Sequence, residues 1–302
     1  MKAKHWFIFI LTGAIFSSSF MWIKIALREV GPDLLVAFRT LFGLLFCIAV
    51  IFIQRVKLPR SFKEWKPLFW LGVLNIAIPF FLIAWGEQSI DSSVAAILDS
   101  TVPLFTIVMA HFLLSDDKMT ISKIAGLLVG FAGVFVLVSK DIGDSTSSIL
   151  GQAAVIIASG FYAASAVYVR RTTQNTPAIL RSAGPLFSGS VIMWLAALAF
   201  ESPLKMPSLG ITWVALIFLG TIGSGFAFVM VFYLIHEIGP TRTSMITYIF
   251  PLGGVILGVV FLQEQLTWQL IAGGLLIVAS LFVANRQPDK ITEVSEVETE
   301  LR

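Results

Sequence analysis

Ten stretches of this chain are each long and apolar enough to cross a bilayer, and few folds can accommodate that. A membrane-spanning helix needs about 20 mostly apolar residues. Such stretches fall near 5–27, 34–54, 66–88, 92–114, 120–139, 148–169, 179–200, 211–236, 241–263 and 267–285, with short connections that leave no room for an inserted soluble domain. Only 13% of residues are charged and 57% are hydrophobic, with a mean hydropathy of +0.90, whereas a soluble domain carries about a quarter charged residues. The chain is expected to be an all-α integral membrane protein.

The start, MKAKHWFIFILTGAIFSSSF, has the outline of a secretory signal peptide. The apolar run continues through FMWIKIAL, so it reads as a retained first helix. Ten spans put both termini on one side. That side collects sixteen of the 21 basic residues, leaving Lys24, Arg28, Arg39, Lys140 and Lys205 for the other. By the positive-inside bias both termini are cytoplasmic and the protein sits in the cytoplasmic (plasma or inner) membrane. The same bias accounts for a net charge of +3 and a pI near 9. No basic patch interleaved with aromatics suggests nucleic acid as a partner. Cys47 alone can form no intrachain disulfide and reads as a small buried hydrophobe. The glutamate-rich end, residues 287–302, is expected to be a disordered cytoplasmic tail.

The chain also repeats itself. AAILDSTVPLFTIVMAHFLLSDDKMTISKIAGLLVGFAGVF aligns with TSMITYIFPLGGVILGVVFLQEQLTWQLIAGGLLIVASLF, so that Pro103 meets Pro251, Asp116 meets Glu264 and Gly126 meets Gly274. Trp85 and Tyr233 match at the same offset, 148. Earlier, FSSSFMWIK resembles YAASAVYVR at an offset of 146. Five spans per half is an odd number, so the halves cross in opposite directions. Two inverted five-helix repeats follow, expected over 1–139 and 140–286. Many secondary transporters are built this way, with the site near the midplane between the halves.

These motifs make the chain resemble the drug/metabolite transporter superfamily, and within it the EamA-type ten-helix carriers, over roughly residues 5–286. The resemblance is carried by Pro32 and Arg39 in P-x6-R, by AAILDSTVPLFT and DDKMTISKIAGLLVGFAG, and by FPLGGVILGVVFLQEQLTWQLIAGGLLIVAS. Glu264 holds the family's usual glutamate position, where the first copy has Asp116. Arg39 has no counterpart in the second half, where the matching place falls near Gly184. The resemblance implies export of amino acids, metabolites or drugs by alternating access.

A proline in a helix leaves the carbonyl four residues back without its donor. For Pro103 that carbonyl belongs to Asp99; for Pro251 it belongs to Thr247. Two matched kinks, each with a polar side chain at the freed turn, suit helices that line a midplane cavity. A carboxylate at helix centre costs roughly 2.5–3.5 kcal/mol on insertion scales and should face a cavity or a partner. Asp99 is therefore expected to hold a substrate ammonium or carry a proton; the structural alternative is a protonated carboxyl tied to a serine. Arg39 is expected to neutralise a substrate carboxylate, or else to pair with Glu87 or Asp91. Lys24 reads as snorkelling and Glu87, near a span end, as wet. Tyr162 and Tyr248 lie deep enough to form a cavity wall, while Trp85 and Tyr233 complete the candidate substrate-binding set with Thr247. Gly126-x3-Gly130 and Gly254-x3-Gly258 suit close helix packing within one subunit; a homodimer through them stays open.

Rival classes have thinner support. Ser224 in TIGSGF is reminiscent of a membrane serine protease, but a base on the same helix, His236, would be about 18 Å along the axis. No H-E-x-x-H cluster or Walker-type loop is present, so neither an enzyme nor a cofactor is expected. A multidrug or other metabolite carrier, a channel and a scramblase remain as alternatives to the expected reading, a secondary exporter of amino acids or related small metabolites. Proton or ion coupling is left open.

Overall fold

The computed structural model describes residues 3–59, 61–114, 119–139, 146–173, 176–201, 203–238, 243 and 245–284, with the backbone alone for Phe232, Ile235 and His236. Helices account for nearly all of it: α1 (Ala3–Ala26), α2 (Pro32–Gln54), α3 (Phe62–Gly86), α4 (Ser92–Leu113), α5 (Ile121–Val138), α6 (Thr146–Thr172), α7 (Ala178–Phe200), α8 (210–238), α9 (Met245–Leu262) and α10 (Trp268–Ala284). Among the described residues nine of these are long and apolar enough to span a membrane, and α10 is a shorter apolar helix of the same kind. Each lies within a few residues of the span read from the sequence. Asp116 and the 287–302 tail fall outside the described residues.

Helix starts follow local chemistry. Pro32 opens α2 with its φ preset and no N–H to satisfy. The Ser61 hydroxyl accepts the Lys63 N–H at the start of α3, and Thr120 does the same for Lys123 at α5. Large apolar side chains such as Phe52 (84% exposed) and Phe200 (81%) cover the outside of the bundle, where lipid tails are the solvent.

The halves interlock. α1 and part of α4 pack on α9, α2 packs on α7 and the middle of α8, and α5 pairs along its length with α10. The α5–α10 crossing depends on glycine, since a Cβ on Gly133 or on Gly273 would lie 2.9 Å from the other's carbonyl oxygen. Gly126 and Gly130 face Ala284 and Ser280 in the same seam, so this small-residue stripe packs helices within the chain.

Four helices are irregular in their middle or at one end. α3 contains a π-helical segment at Gly72–Ala77, just ahead of Pro79, and α8 contains one at Phe218–Phe226. Their first residues are separated by 146, the same offset that relates the sequence repeats. Such insertions re-aim side chains and often mark functional sites. α4 breaks outright at Ser100 and Thr101 between Ser92–Asp99 and Val102–Leu113. Its counterpart α9 begins with a 3₁₀ turn at Met245–Tyr248 before continuing as α-helix. The kinks expected at Pro103 and Pro251 are thus a break and a tightened turn.

Alternating helix direction puts the starts of α2, α4 and α8 on one face, opposite the first residues of α1; we term it the distal face. There, three glutamates each cross from one half to cap a helix of the other. Glu29 accepts from the Ser208 and Leu209 N–H groups and the Ser208 and Thr212 hydroxyls at the start of α8. Glu201 accepts from the Asp33 and Leu34 N–H groups of α2, and Glu264 from the Ser92 and Ser93 N–H groups and the Ser92 hydroxyl of α4. A carboxylate at a helix N-terminus satisfies orphan donors and complements the dipole.

The Ser208 and Thr212 hydroxyls hold the Glu29 carboxyl down at about 2, from an ordinary 4.5. Because the folded value is depressed, its contribution is complete above the ordinary value and is lost as pH falls toward the folded one. Glu29→Gln should therefore lower the Tm at neutral pH, with the gap to wild type narrowing as pH falls below about 4.5. A gap that widens on acidification would contradict this role.

Candidate functional site

The irregular segments of α3, α4 and α8 border one buried polar cluster. Arg39, on the first turns of α2, is 5% exposed. Its Nε donates to the Ser224 hydroxyl at 3.0 Å, and its guanidinium lies 3.7 Å from the Phe80 ring centroid, a cation–π contact strengthened by desolvation. Both partners depend on the π-helical segments. Phe80 follows the one in α3, and Ser224 is inside the one in α8. Gly220 makes the approach feasible, since a Cβ there would stand 2.7 Å from the Arg39 carbonyl oxygen.

Asp99 is the last residue before the α4 break and is 6% exposed. The Ser159 side chain stands beside its carboxylate, while the Ser159 hydroxyl reaches the Val155 carbonyl at 3.1 Å and lies 3.3 Å from that of Leu98. Tyr162, one turn further along α6, shares that face and lies within electrostatic reach of both Asp99 and Arg39. Asp99 Oδ1 is buried with no hydrogen-bond partner among the described residues. Arg39 and Asp99 feel each other's charge, yet no ion pair closes between them. The guanidinium and the carboxyl thus share one buried cluster without pairing directly.

Next to this cluster, at the distal face, a cavity of about 670 Å³ is lined by Lys24, Arg28, Glu87, Asp91, Gln263 and Glu264, among others. Glu87 reaches its wall from the end of α3. It is fully buried rather than wet, with charged groups from α1, α2, α4 and the α9–α10 turn all acting on it. Lys24 does not snorkel; its Nζ donates to the Glu87 and Ile90 carbonyls at 2.6 and 2.7 Å, capping the end of α3.

Of the residues singled out from sequence, Asp99, Arg39 and Tyr162 come together. Thr247 lies in the 3₁₀ turn that opens α9. Tyr248 turns to α10, where its hydroxyl donates to the Leu281 carbonyl at 3.1 Å and its ring packs on Phe282. Tyr233 sits at the opposite face, under the Lys4 ammonium and edge-on to His5, near the His5–Glu237 pair at 3.3 Å. Trp85 is 39% exposed on α3. Arg39 pairs with neither Glu87 nor Asp91; Phe80 and Ser224 are the partners that sequence reasoning missed. A small residue among glycines in TIGSGF was the available signal for Ser224, and it reads equally well as packing.

A multi-pass helical bundle with matched irregular helices and a buried charged cluster defines a membrane transporter. The chain belongs to the EamA-like transporter family, which matches it over residues 4–139 and 149–286. It is similar to YoaV of Bacillus subtilis (strain 168), described as an uncharacterized transporter, with 27% identity over 87% of this chain and 91% of that one. It is also similar to the uncharacterized inner membrane transporter YedA of Escherichia coli (strain K12), with 27% identity over 82% and 81%. A solved crystal structure shares the fold, with a TM-score of 0.68 and 20% identity over 94% of this chain and 98% of that one.

Removing the Ser224 hydroxyl leaves a buried cationic donor without its partner, and hydrogen bonds to charged groups are worth about 1.5–3 kcal/mol. Ser224→Ala should lower unfolding stability by about that much, read as a fall in Tm in detergent; an unchanged Tm would show that Arg39 is held without it.

Proposed function

We propose that this transporter exports amino acids or closely related zwitterionic metabolites by alternating access. One observation carries the reading: Arg39 and Asp99, both buried, act on each other's charge without closing an ion pair. A zwitterion offers a carboxylate to the Arg39 fork and an ammonium to Asp99, and each pairing replaces water lost on entry. Tyr162 and Phe80 supply apolar wall, and Thr247 lies at the matched turn of the other half. The two five-helix repeats, 1–139 and 140–286, are the bodies that rock about the site. Both termini face the cytoplasm on the positive-inside count, and the inner-membrane description of YedA is consistent with a cytoplasmic-membrane location.

The test is counterflow. Proteoliposomes preloaded with mixed unlabelled amino acids should accumulate labelled amino acids, empty vesicles should not, and Asp99→Asn should reduce accumulation by about tenfold or more, equivalent to about 1.4 kcal/mol. Undiminished counterflow in the variant would remove Asp99 from the path. If wild-type vesicles with verified incorporation show none, the amino-acid class is wrong and drugs or other metabolites replace it.

A further inference from the structure

We infer that Glu87 is a proton-binding site, reached from the distal cavity, whose proton is coupled to substrate movement. The inference rests on the chain being a carrier but not on the amino-acid class or on the role of Asp99.

Three observations meet at this residue. Both Glu87 carboxylate oxygens are buried and have no hydrogen-bond partner among the described residues. Glu87 is also part of the wall of the 670 Å³ cavity, so water lies a short movement away. Finally, the charges of Arg39 and Asp99 in the buried cluster and of Lys24 and Glu264 on the cavity side all act on it. Glu87 therefore stands between the distal cavity and the buried Arg39–Asp99 cluster.

An ionised carboxylate without hydrogen bonds is costly to bury, and such a group sheds that cost by taking a proton. The nearby charges oppose one another, two cations against two carboxylates, and burial outweighs them. From α1, the Lys24 ammonium directs its hydrogen bonds to the Glu87 and Ile90 backbone carbonyls rather than to the carboxylate, and so acts on that carboxylate through space alone. From the α9–α10 turn, Glu264 is committed to the start of α4 and repels a second negative charge. From α2, Arg39 is bonded to Ser224; from α4, Asp99 adds a further negative charge. Tyr162 is the titratable neighbour on α6, beside Asp99 and Arg39. A metal ion would need several ligands, and among the described residues no group of three His, Cys, Asp or Glu side chains is placed to hold one.

The step is a simple proton exchange. Water in the cavity delivers a proton to one carboxylate oxygen, leaving a neutral carboxyl that the closed pocket tolerates. When the pocket opens, water hydrates the group and the proton leaves to that water. Proton occupancy and the closed conformation therefore favour each other, as linkage requires. A pH gradient across the membrane then biases the cycle.

Infrared difference spectroscopy on the full-length protein in lipid nanodiscs, with no substrate present, tests the site itself. Wild type should show the C=O stretch of a protonated carboxylic acid that titrates, and Glu87→Gln should lack it. An identical band in the variant, or none in wild type, would overturn the assignment. Flux tests the coupling with the labelled amino-acid mixture as probe. One pH unit should support up to about tenfold accumulation per coupled proton in wild type, in one gradient polarity. Glu87→Gln should still exchange tracer, which shows that it is folded, but should ignore the gradient. A variant that responds as wild type does, or accumulation driven by a sodium gradient instead, would overturn the coupling. Absent counterflow in wild type would count against the amino-acid class alone, since the infrared result stands without it.

Discussion

The need to satisfy a permanently charged guanidinium inside hydrocarbon organises the centre of this protein. Arg39 cannot escape its charge by deprotonation in a folded protein, so the surrounding helices must supply partners. They do so where they are least regular. The π-helical segment of α8 brings Ser224 to Nε, and the one in α3 precedes the ring that covers the guanidinium face. The break in α4 begins just after Asp99. Irregular backbone at membrane depth is tolerated only where protein buries it or a cavity hydrates it. Cluster and irregularities therefore sustain each other.

The same reasoning connects the centre to the distal face. Glu29, Glu201 and Glu264 each tie a helix start of one half to the other half. Relative motion of the halves at that face must therefore exchange these contacts for water or for new partners. On the opposite face His5 and Glu237 join α1 to α8. Opposed sets of contacts between halves are what the alternating access proposed above would require, since each state must keep part of its polar groups paired.

Much of this could be read from the residues, and the part that could not has a physical reason. Ten spans, the inverted repeat and the pairing of Pro103 with Pro251 follow from hydropathy and internal similarity, because a bilayer punishes errors in length and polarity. Asp99 and Arg39 were legible for the same reason: a charge within an apolar run needs an explanation. Partners were not legible. Phe80 and Ser224 face Arg39 only because π-helical segments shift the register of their helices, and glycine-rich TIGSGF suggests packing before it suggests a hydroxyl in use. Glu87 sits where a span ends, a place that looks wet from sequence, yet its side chain is fully buried. Tyr248 reads as a cavity residue by depth, yet its hydroxyl goes to the Leu281 carbonyl, because depth in a span says nothing about the direction a side chain takes.

The central claim, proposed above, is that substrate binds Arg39 and Asp99 together. An experimental density map of the protein saturated with the amino acid that exchanges fastest would test it most directly. The account predicts density bridging the two side chains, with the carboxylate end at Arg39 and the ammonium end at Asp99. No density at these two side chains in transport-competent protein, with ligand density against other residues, would contradict it.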